Sequence, residues 1–245
     1  MARLGHTVRV LSRRPALPLP RRASLAAGDL LTQEGLGAAV DGVDVVVHCA
    51  TNPYKNTWQT DVEGTQSLLD EAARAGVRHF VYVSIVGVDR IPLRYYKAKV
   101  AAEWVVRRSE VPWTILRATQ FHDLILRALQ DLMWGPVVPV PKGFSFQPLD
   151  PRDVADRLVE LATARPAGRV PDMGGPEVLD ARELARSYLE RVGARRPVVT
   201  FPLPGAAARA FRSGANLAPD ATDGTITWRD FLASTRKRTR TRATR

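Results

Sequence analysis

The chain has 245 residues, 45% apolar and 25% charged, which suits one α/β domain with a small appended lobe and excludes disorder along the whole length. No run of about 18 apolar residues offers a membrane span, Met1 to His6 lack the apolar stretch of a secretory signal, and the single Cys49 excludes a disulfide framework or cysteine-cluster zinc site, so a cytoplasmic location is expected. The formal charge of +11 includes six basic residues within the last ten positions; without them +5 remains, and the tail 236–245 reads as solvated and disordered, with no specific nucleic-acid binding expected.

From residue 7 to 117, short β-branched runs alternate with helical stretches, the pattern of a parallel sheet with crossover helices. Strands are predicted at Thr7 to Leu11, Ala23 to Gly28, Asp44 to Cys49, His79 to Ser84 and Trp113 to Arg117. The run at 44–49 is nearly all apolar, as for a strand covered on both faces. Helices are predicted at Thr60 to Ala75, stopped by Gly76, and at Tyr95 to Arg108. After about residue 135 prolines cluster and the alternation loosens. A helix is expected at Pro151 to Ala164, and a turn-rich link at Pro171 to Pro176. Another helix is capped by Asp180, with Glu183 in the capping-box position, and ends at Gly193. A strand at Pro197 to Leu203 and a helix at Ile226 to Ser234 complete a smaller lobe.

Two constellations point to chemistry. Tyr95 and Lys99 are four apart on one helix and share a face. An ammonium near a phenol favours the phenolate and lowers its pKa, and such a tyrosine can donate a proton to a carbonyl oxygen while hydride reaches the carbon. Ser84 ends the preceding strand, and ligands of open α/β sheets bind beyond the carboxyl ends of strands. An amphipathic surface helix would place the same two residues together without any such function. The second constellation is Arg13 and Arg14, directly after a strand. No acid precedes Asp29 to hold ribose hydroxyls, whereas two guanidinium groups suit a 2′-phosphate, so NADP is preferred over NAD. Asp61, Gly64 and Thr65 read equally well as functional groups and as a helix start with a small residue packed on the sheet. Four scattered histidines have no ligand spacing, and no metal site is expected.

These residues, with Gly28-Asp29-Leu30, Val47-His48-Cys49-Ala50-Thr51, Asp61-Val62-Glu63-Gly64-Thr65, Arg117-Ala118-Thr119-Gln120-Phe121 and Asp150 to Ala155, resemble the short-chain dehydrogenase/reductase superfamily. The likeness is to its atypical, NmrA-like NAD(P)H-binding group, over roughly residues 3 to 235. The resemblance implies a doubly wound parallel-sheet Rossmann fold over residues 1–135, with the first strand absent, and a small substrate lobe over 136–235. It implies that Ser84 and Tyr95 hold a substrate carbonyl, and that Lys99 binds the nicotinamide ribose and tunes Tyr95. Asp29 and Leu30 would flank the adenine, Ala50 and Thr51 would line the cofactor groove, and Thr119, Gln120 and Phe121 would lie near the nicotinamide.

The family's opening strand and glycine-rich pyrophosphate turn have no counterpart in this sequence, which begins at what matches the end of the first helix. Two explanations stand: an internal methionine of a longer protein, which is favoured, or a degenerate homologue that has lost its cofactor site. Without that strand, the strands at 7–11 and 44–49 must pair directly or leave buried backbone groups unsatisfied. The expected activity is NAD(P)H-dependent reduction of a carbonyl, enone or quinone of a small-molecule substrate. The alternatives are a non-catalytic dinucleotide-binding redox sensor and an accessory subunit. Phe121, Trp134, Phe144 and Phe146 are candidate lining of an apolar substrate lobe, and a homo-oligomer is compatible with the sequence.

Overall fold

The computed structural model describes residues 1–133 and 135–235; Trp134 and the basic tail 236–245 lie outside the described residues. In chain order the elements are β1 (Val8–Ser12), β2 (Ala23–Ala27), α1 (Leu36–Val40) and β3 (Val45–His48). A π-helical turn (Gln59–Glu63) runs straight into α2 (Gly64–Arg74), followed by β4 (His79–Ile85), α3 (Arg94–Arg108) and β5 (Trp113–Ala118). Next come α4 (His122–Leu132), β6 (Val138–Pro141), β7 (Ser145–Phe146), α5 (Pro151–Thr163) and β8 (Gly168–Arg169). The chain continues through β9 (Leu179–Asp180), α6 (Ala181–Val192), β10 (Val198–Phe201), α7 (Ala206–Arg212) and α8 (Trp228–Ser234).

The chain forms two compact units, Met1–Arg117 with Ala155–Asp172, and Ala118–Val154 with the described part of Met173–Arg245. A single boundary near residue 135 does not describe this division. The reason lies in hydrogen bonding: β8 pairs with β5 in parallel, Thr114 opposite Gly168, which returns 155–172 to the first unit.

The first unit is the doubly wound α/β part. Its four-stranded sheet has the order β3-β4-β5-β8, with β3 and β4 parallel in the register Val45↔His79 to His48↔Tyr82. The β1–β2 pair, also parallel, is a separate two-stranded sheet. Thus β1 and β3 do not pair with each other. β3 is covered only in part, Val47 is 38% exposed, and its apolar run is not buried on both faces as expected. The core of the unit gathers Leu36, Leu69, Phe80, Tyr82, Val106 and Ile115, with Leu30 and Val62 packed beside them. α2 contributes Leu68, Leu69 and Ala72 at helical spacing. Gly64 is small for a reason: a Cβ there would stand 2.5 Å from the Leu30 carbonyl oxygen.

The second unit has its own core of α4, α6 and α8 residues, including Ile125, Leu129, Leu184, Leu189, Trp228 and Phe231, with Phe144. Its sheets are small: β6 with β10 in parallel and β7 with β9 antiparallel. α6 starts with the expected capping box, in which Asp180 accepts from the Arg182 and Glu183 amides and Glu183 accepts from the Asp180 amide. The link at Pro171 to Pro176 owes its glycines to close approach as much as to turning. A Cβ on Gly175 would lie 1.8 Å from the Pro148 carbonyl oxygen. No helix among the described residues is long and apolar enough to cross a membrane.

Candidate active site

The carboxyl end of β3 opens into an exposed segment, Cys49 to Thr51, and the amino end of α3 brings Tyr95 beside it. Tyr95 is half-buried, and its phenolic oxygen lies 2.9 Å from Thr51 Oγ1. Thr51 in turn donates to Asp61 Oδ1, and the Asn52 amide donates to Asp61 Oδ2 at 2.9 Å. Asp61 is 1% exposed and is carried by the π-helical turn. One turn along α3, Lys99 is 3% exposed and donates to the Val83 carbonyl of β4 at 2.9 Å, with its Nζ 4.1 Å from the centre of the Tyr82 ring. Of its three N–H donors only one is used within the protein.

The electrostatics differ from expectation in one respect. Lys99 makes no hydrogen bond to Tyr95, and the phenol is not lowered: burial, with the Asp61 charge adding to it, pushes it up to about 12 although its bond to Thr51 acts the other way. The ammonium itself is lowered to about 8, because burial disfavours its charge more than Asp61 and Glu103 restore it.

Ser84 is 3% exposed, and its hydroxyl has no hydrogen-bond partner. It lies near the Glu103 carboxylate, outside hydrogen-bond geometry, and makes no bond to Tyr95. The hydroxyl that meets Tyr95 is that of Thr51, which the sequence placed only in the cofactor groove. Glu103 is itself held by Arg117 through two bonds of 2.8 Å, a buried bidentate pair that ties α3 to β5. His48 is likewise structural. It bonds Thr65 Oγ1 at 2.9 Å beside the Phe80 and Tyr82 rings, and burial lowers it to about 3.

At the end of β1, Arg13 stands 3.8 Å from Asp29, bringing two expected cofactor ligands together, while the Arg14 amide donates to Ser12 Oγ at 3.0 Å. Asp29 Oδ1 also accepts from the Leu31 amide at 2.8 Å. The side chain of Leu30, expected to flank the adenine, is packed in the core of the unit. Ala50 is exposed at the β3 rim.

Thr119, Gln120 and Phe121 fall in the second unit. Thr119 is buried and accepts from the Gly175 amide at 3.3 Å. The Gln120 side chain is engaged in that unit, donating to the Asn216 carbonyl at 2.9 Å and accepting from Asn216 Nδ2 at 3.3 Å and the Gln147 amide at 3.4 Å. One of its two amide N–H groups is unused. Phe121 caps α4 and forms a bridge with Leu149. Phe144 and Phe146 pack on Phe211, ring centres 5.1 and 6.1 Å apart, as core rather than lining. Among the described residues no group of three or more His, Cys, Asp and Glu could hold a metal ion.

Beside Tyr95 lies a cleft of about 330 Å³ lined by residues 53–54, 56–59, 94 and 95. It adjoins the phenol and carries the exposed rings of Tyr54 and Trp58 and the exposed Arg94. The arrangement can hold a proton on a phenol next to an open cleft, with an underused ammonium one turn away.

Known proteins bear on this geometry. Residues 1–164 match the model of a family described as NAD(P)H-binding. The chain is 31% identical over 185 residues to a (4-alkanoyl-5-oxo-2,5-dihydrofuran-3-yl)methyl phosphate reductase of Streptomyces griseus, covering 72% of this chain and 62% of that protein. It is 36% identical over 247 residues to a 3 beta-hydroxysteroid dehydrogenase/Delta 5-->4-isomerase of Mycobacterium tuberculosis, covering 82% of this chain and 66% of that one. The chain therefore spans just under two thirds of the length of these relatives. Among solved structures, a short-chain dehydrogenase/reductase superfamily protein from Agrobacterium tumefaciens with bound NAD superposes with a TM-score of 0.69 at 20% identity, over 95% of this chain and 89% of that one. That likeness carries the fold. With two thirds of its residues matched by the family model, and in line with the NmrA-like resemblance of its motifs, the chain belongs to the NAD(P)H-binding family of short-chain dehydrogenase/reductase fold.

Proposed function

We propose that the protein is an NAD(P)H-dependent reductase acting on a carbonyl, enone or quinone of a small molecule, with NADPH preferred. The observation that carries this reading is the pairing of a half-buried phenol, Tyr95, with a buried ammonium, Lys99, at the carboxyl rim of a parallel sheet. The residues present fit a dinucleotide. Lys99 has two unused N–H donors in a buried setting, a costly state that ribose hydroxyls would relieve. Arg13 is 68% exposed and only loosely paired to Asp29, so a 2′-phosphate can recruit its guanidinium with little to displace.

A bound dinucleotide supplies hydride to the substrate carbon. The protein's part is to hold the substrate oxygen at Tyr95, which gives it the phenolic proton and takes one back from water. A phenol held up to about 12 is protonated at neutral pH and rests as a donor, which suits reduction over oxidation. The two relatives named as a reductase and a dehydrogenase support this chemistry. Oxidation of NADPH, followed with menadione and with 2-cyclohexenone, tests it. Tyr95→Phe is expected to cut turnover by about 10²-fold or more while leaving NADPH binding intact. Undiminished turnover in that variant, or no NADPH oxidation with either acceptor, overturns the reading.

A further inference from the structure

We propose that Asp61 is a positioning residue for Tyr95: acting through Thr51, it decides which way hydrogen is given along the Tyr95–Thr51–Asp61 chain and so keeps the tyrosine the donor. This rests on the reading of Tyr95 as proton donor and adds a residue that the resemblance leaves without a role.

The Asp61 carboxylate sits in an unfavourable place. Asp61 is 1% exposed, and no Lys, Arg or His among the described residues lies within ion-pair distance of it. A buried acid without a cation is costly unless donors surround it. A helix-capping role would explain it, but Asp61 does not cap its own helix. Both carboxylate oxygens reach across to the segment leaving β3, where they meet the Thr51 hydroxyl and the Asn52 amide. The backbone bends to allow this. Asp61 sits in the π-helical turn, and such wide turns within helices recur at functional sites.

Proton counting then fixes the chain's polarity. A threonine hydroxyl has one hydrogen. The Thr51 hydrogen goes to the carboxylate, the stronger, charge-assisted acceptor. The 2.9 Å contact between Thr51 Oγ1 and the Tyr95 oxygen therefore leaves Tyr95 as the donor. The titratable groups whose charge bears on the phenol are Asp61 from the π-helical turn, Tyr82 from β4 and Tyr96 from its own helix, while Arg94 and Lys99 lie on that helix without a bond to it. Of the charged groups among them, only the Asp61 carboxylate reaches it through a hydrogen-bonded chain. Once Tyr95 has given its proton to a substrate, the Thr51 hydroxyl can turn from Asp61 to the phenolate, so the same chain that holds the donor can solvate what it leaves behind.

Replacing Asp61 by asparagine reverses the chain, because an amide can donate to Thr51 and release the threonine hydrogen toward Tyr95. The test follows Tyr95 by NMR of protein carrying [13Cζ]-tyrosine, with Tyr95→Phe assigning the resonance, from pH 7 to 11. In the wild type the Tyr95 signal is expected to stay that of a phenol throughout. In Asp61→Asn its midpoint falls by at least about one pH unit relative to wild type. Thr51→Val, at an exposed position, is expected to move the Tyr95 signal from wild type, and Thr51→Ser to restore it. An Asp61→Asn signal that titrates with wild type overturns the proposal; should that variant not fold, a Thr51→Val signal identical to wild type does so. The titration needs no substrate, so its failure leaves the reductase reading untouched, and a failure of NADPH oxidation leaves the titration result standing.

Discussion

Two buried polar side chains, Gln147 in the second unit and Lys99 in the first, treat their hydrogen-bonding capacity in opposite ways. Around Gln147 in the second unit every polar atom of a fully buried side chain is used. Nε2 donates to the Gly175 and Ala221 carbonyls, both at 2.9 Å, and Oε1 accepts from the Ala218 amide at 2.9 Å. Neighbouring Gln120 and Asn216 extend the network to the Ser145 carbonyl. Around Tyr95 in the first unit capacity is left open. Lys99 uses one of three donors, Ser84 none, and Tyr95 ends its chain beside an open cleft. The Gln147 side chain serves the fold and is satisfied within it. Asn216 Oδ1 in the same network is buried without a partner, so an unspent bond points to a ligand only where the group also stands by a cleft, as Tyr95 does.

Substitutions at these positions test the contrast. The largest effect is expected from Gln147→Leu. It strands two carbonyls and one amide at about 1 kcal/mol each, so urea denaturation should show a loss of about 3 kcal/mol. A loss under about 1 kcal/mol would show that the closed network does not hold the second unit. Lys99→Met is the counterpart. Removing a buried, under-bonded ammonium should leave the melting temperature unchanged or raised, while NADPH binding measured by fluorescence weakens about 10- to 100-fold. Destabilisation equal to that of Gln147→Leu would end the distinction between the two side chains. Arg13→Ala, at an exposed site, should weaken NADPH about tenfold and barely change NADH, with no effect on stability; equal losses for both cofactors would remove the 2′-phosphate assignment.

The smallest effect is a pH dependence. Lys99 is lowered to about 8, so NADPH affinity should fall as pH rises through about 8, and this step should be absent in Lys99→Met. For stability the sign is opposite. Between about 8 and the ordinary lysine value the unfolded chain binds more protons than the folded one, so the Lys99 contribution to stability rises with pH across that window. Urea denaturation of wild type and Lys99→Met over this range checks it.

Much of the fold was legible because its signals are local. The strand runs at 7–11, 23–28, 79–84 and 113–117 and the helix at 95–108 appear within one or two residues of their predicted ends. The Asp180 capping box is wholly local and forms as read. The π-helical turn at Gln59–Glu63 is indistinguishable from ordinary helix in the sequence, since one extra residue in a turn leaves the apolar spacing almost unchanged. α4 went unassigned although Ile125, Leu126 and Leu129 face inward, because what makes them a buried stripe is a core assembled from α6 and α8, far along the chain. Lys99 and Tyr95 were found together by helical spacing, but spacing says nothing of what each one bonds.

Sequence alone determined the alternation of strand and helix, the shared face of Tyr95 and Lys99, and the family's motifs, all of which depend on separations of a few residues where backbone geometry is nearly invariant. Long-range packing settled that Thr51, rather than Ser84, meets the phenol, and that Leu30 belongs to the core. It also settled that the Gln120 side chain bonds within its own unit and that residues 155–172 return to the first sheet. Each of these turns on contacts between segments tens of residues apart, where the winning partner is chosen by packing and burial rather than by residue type.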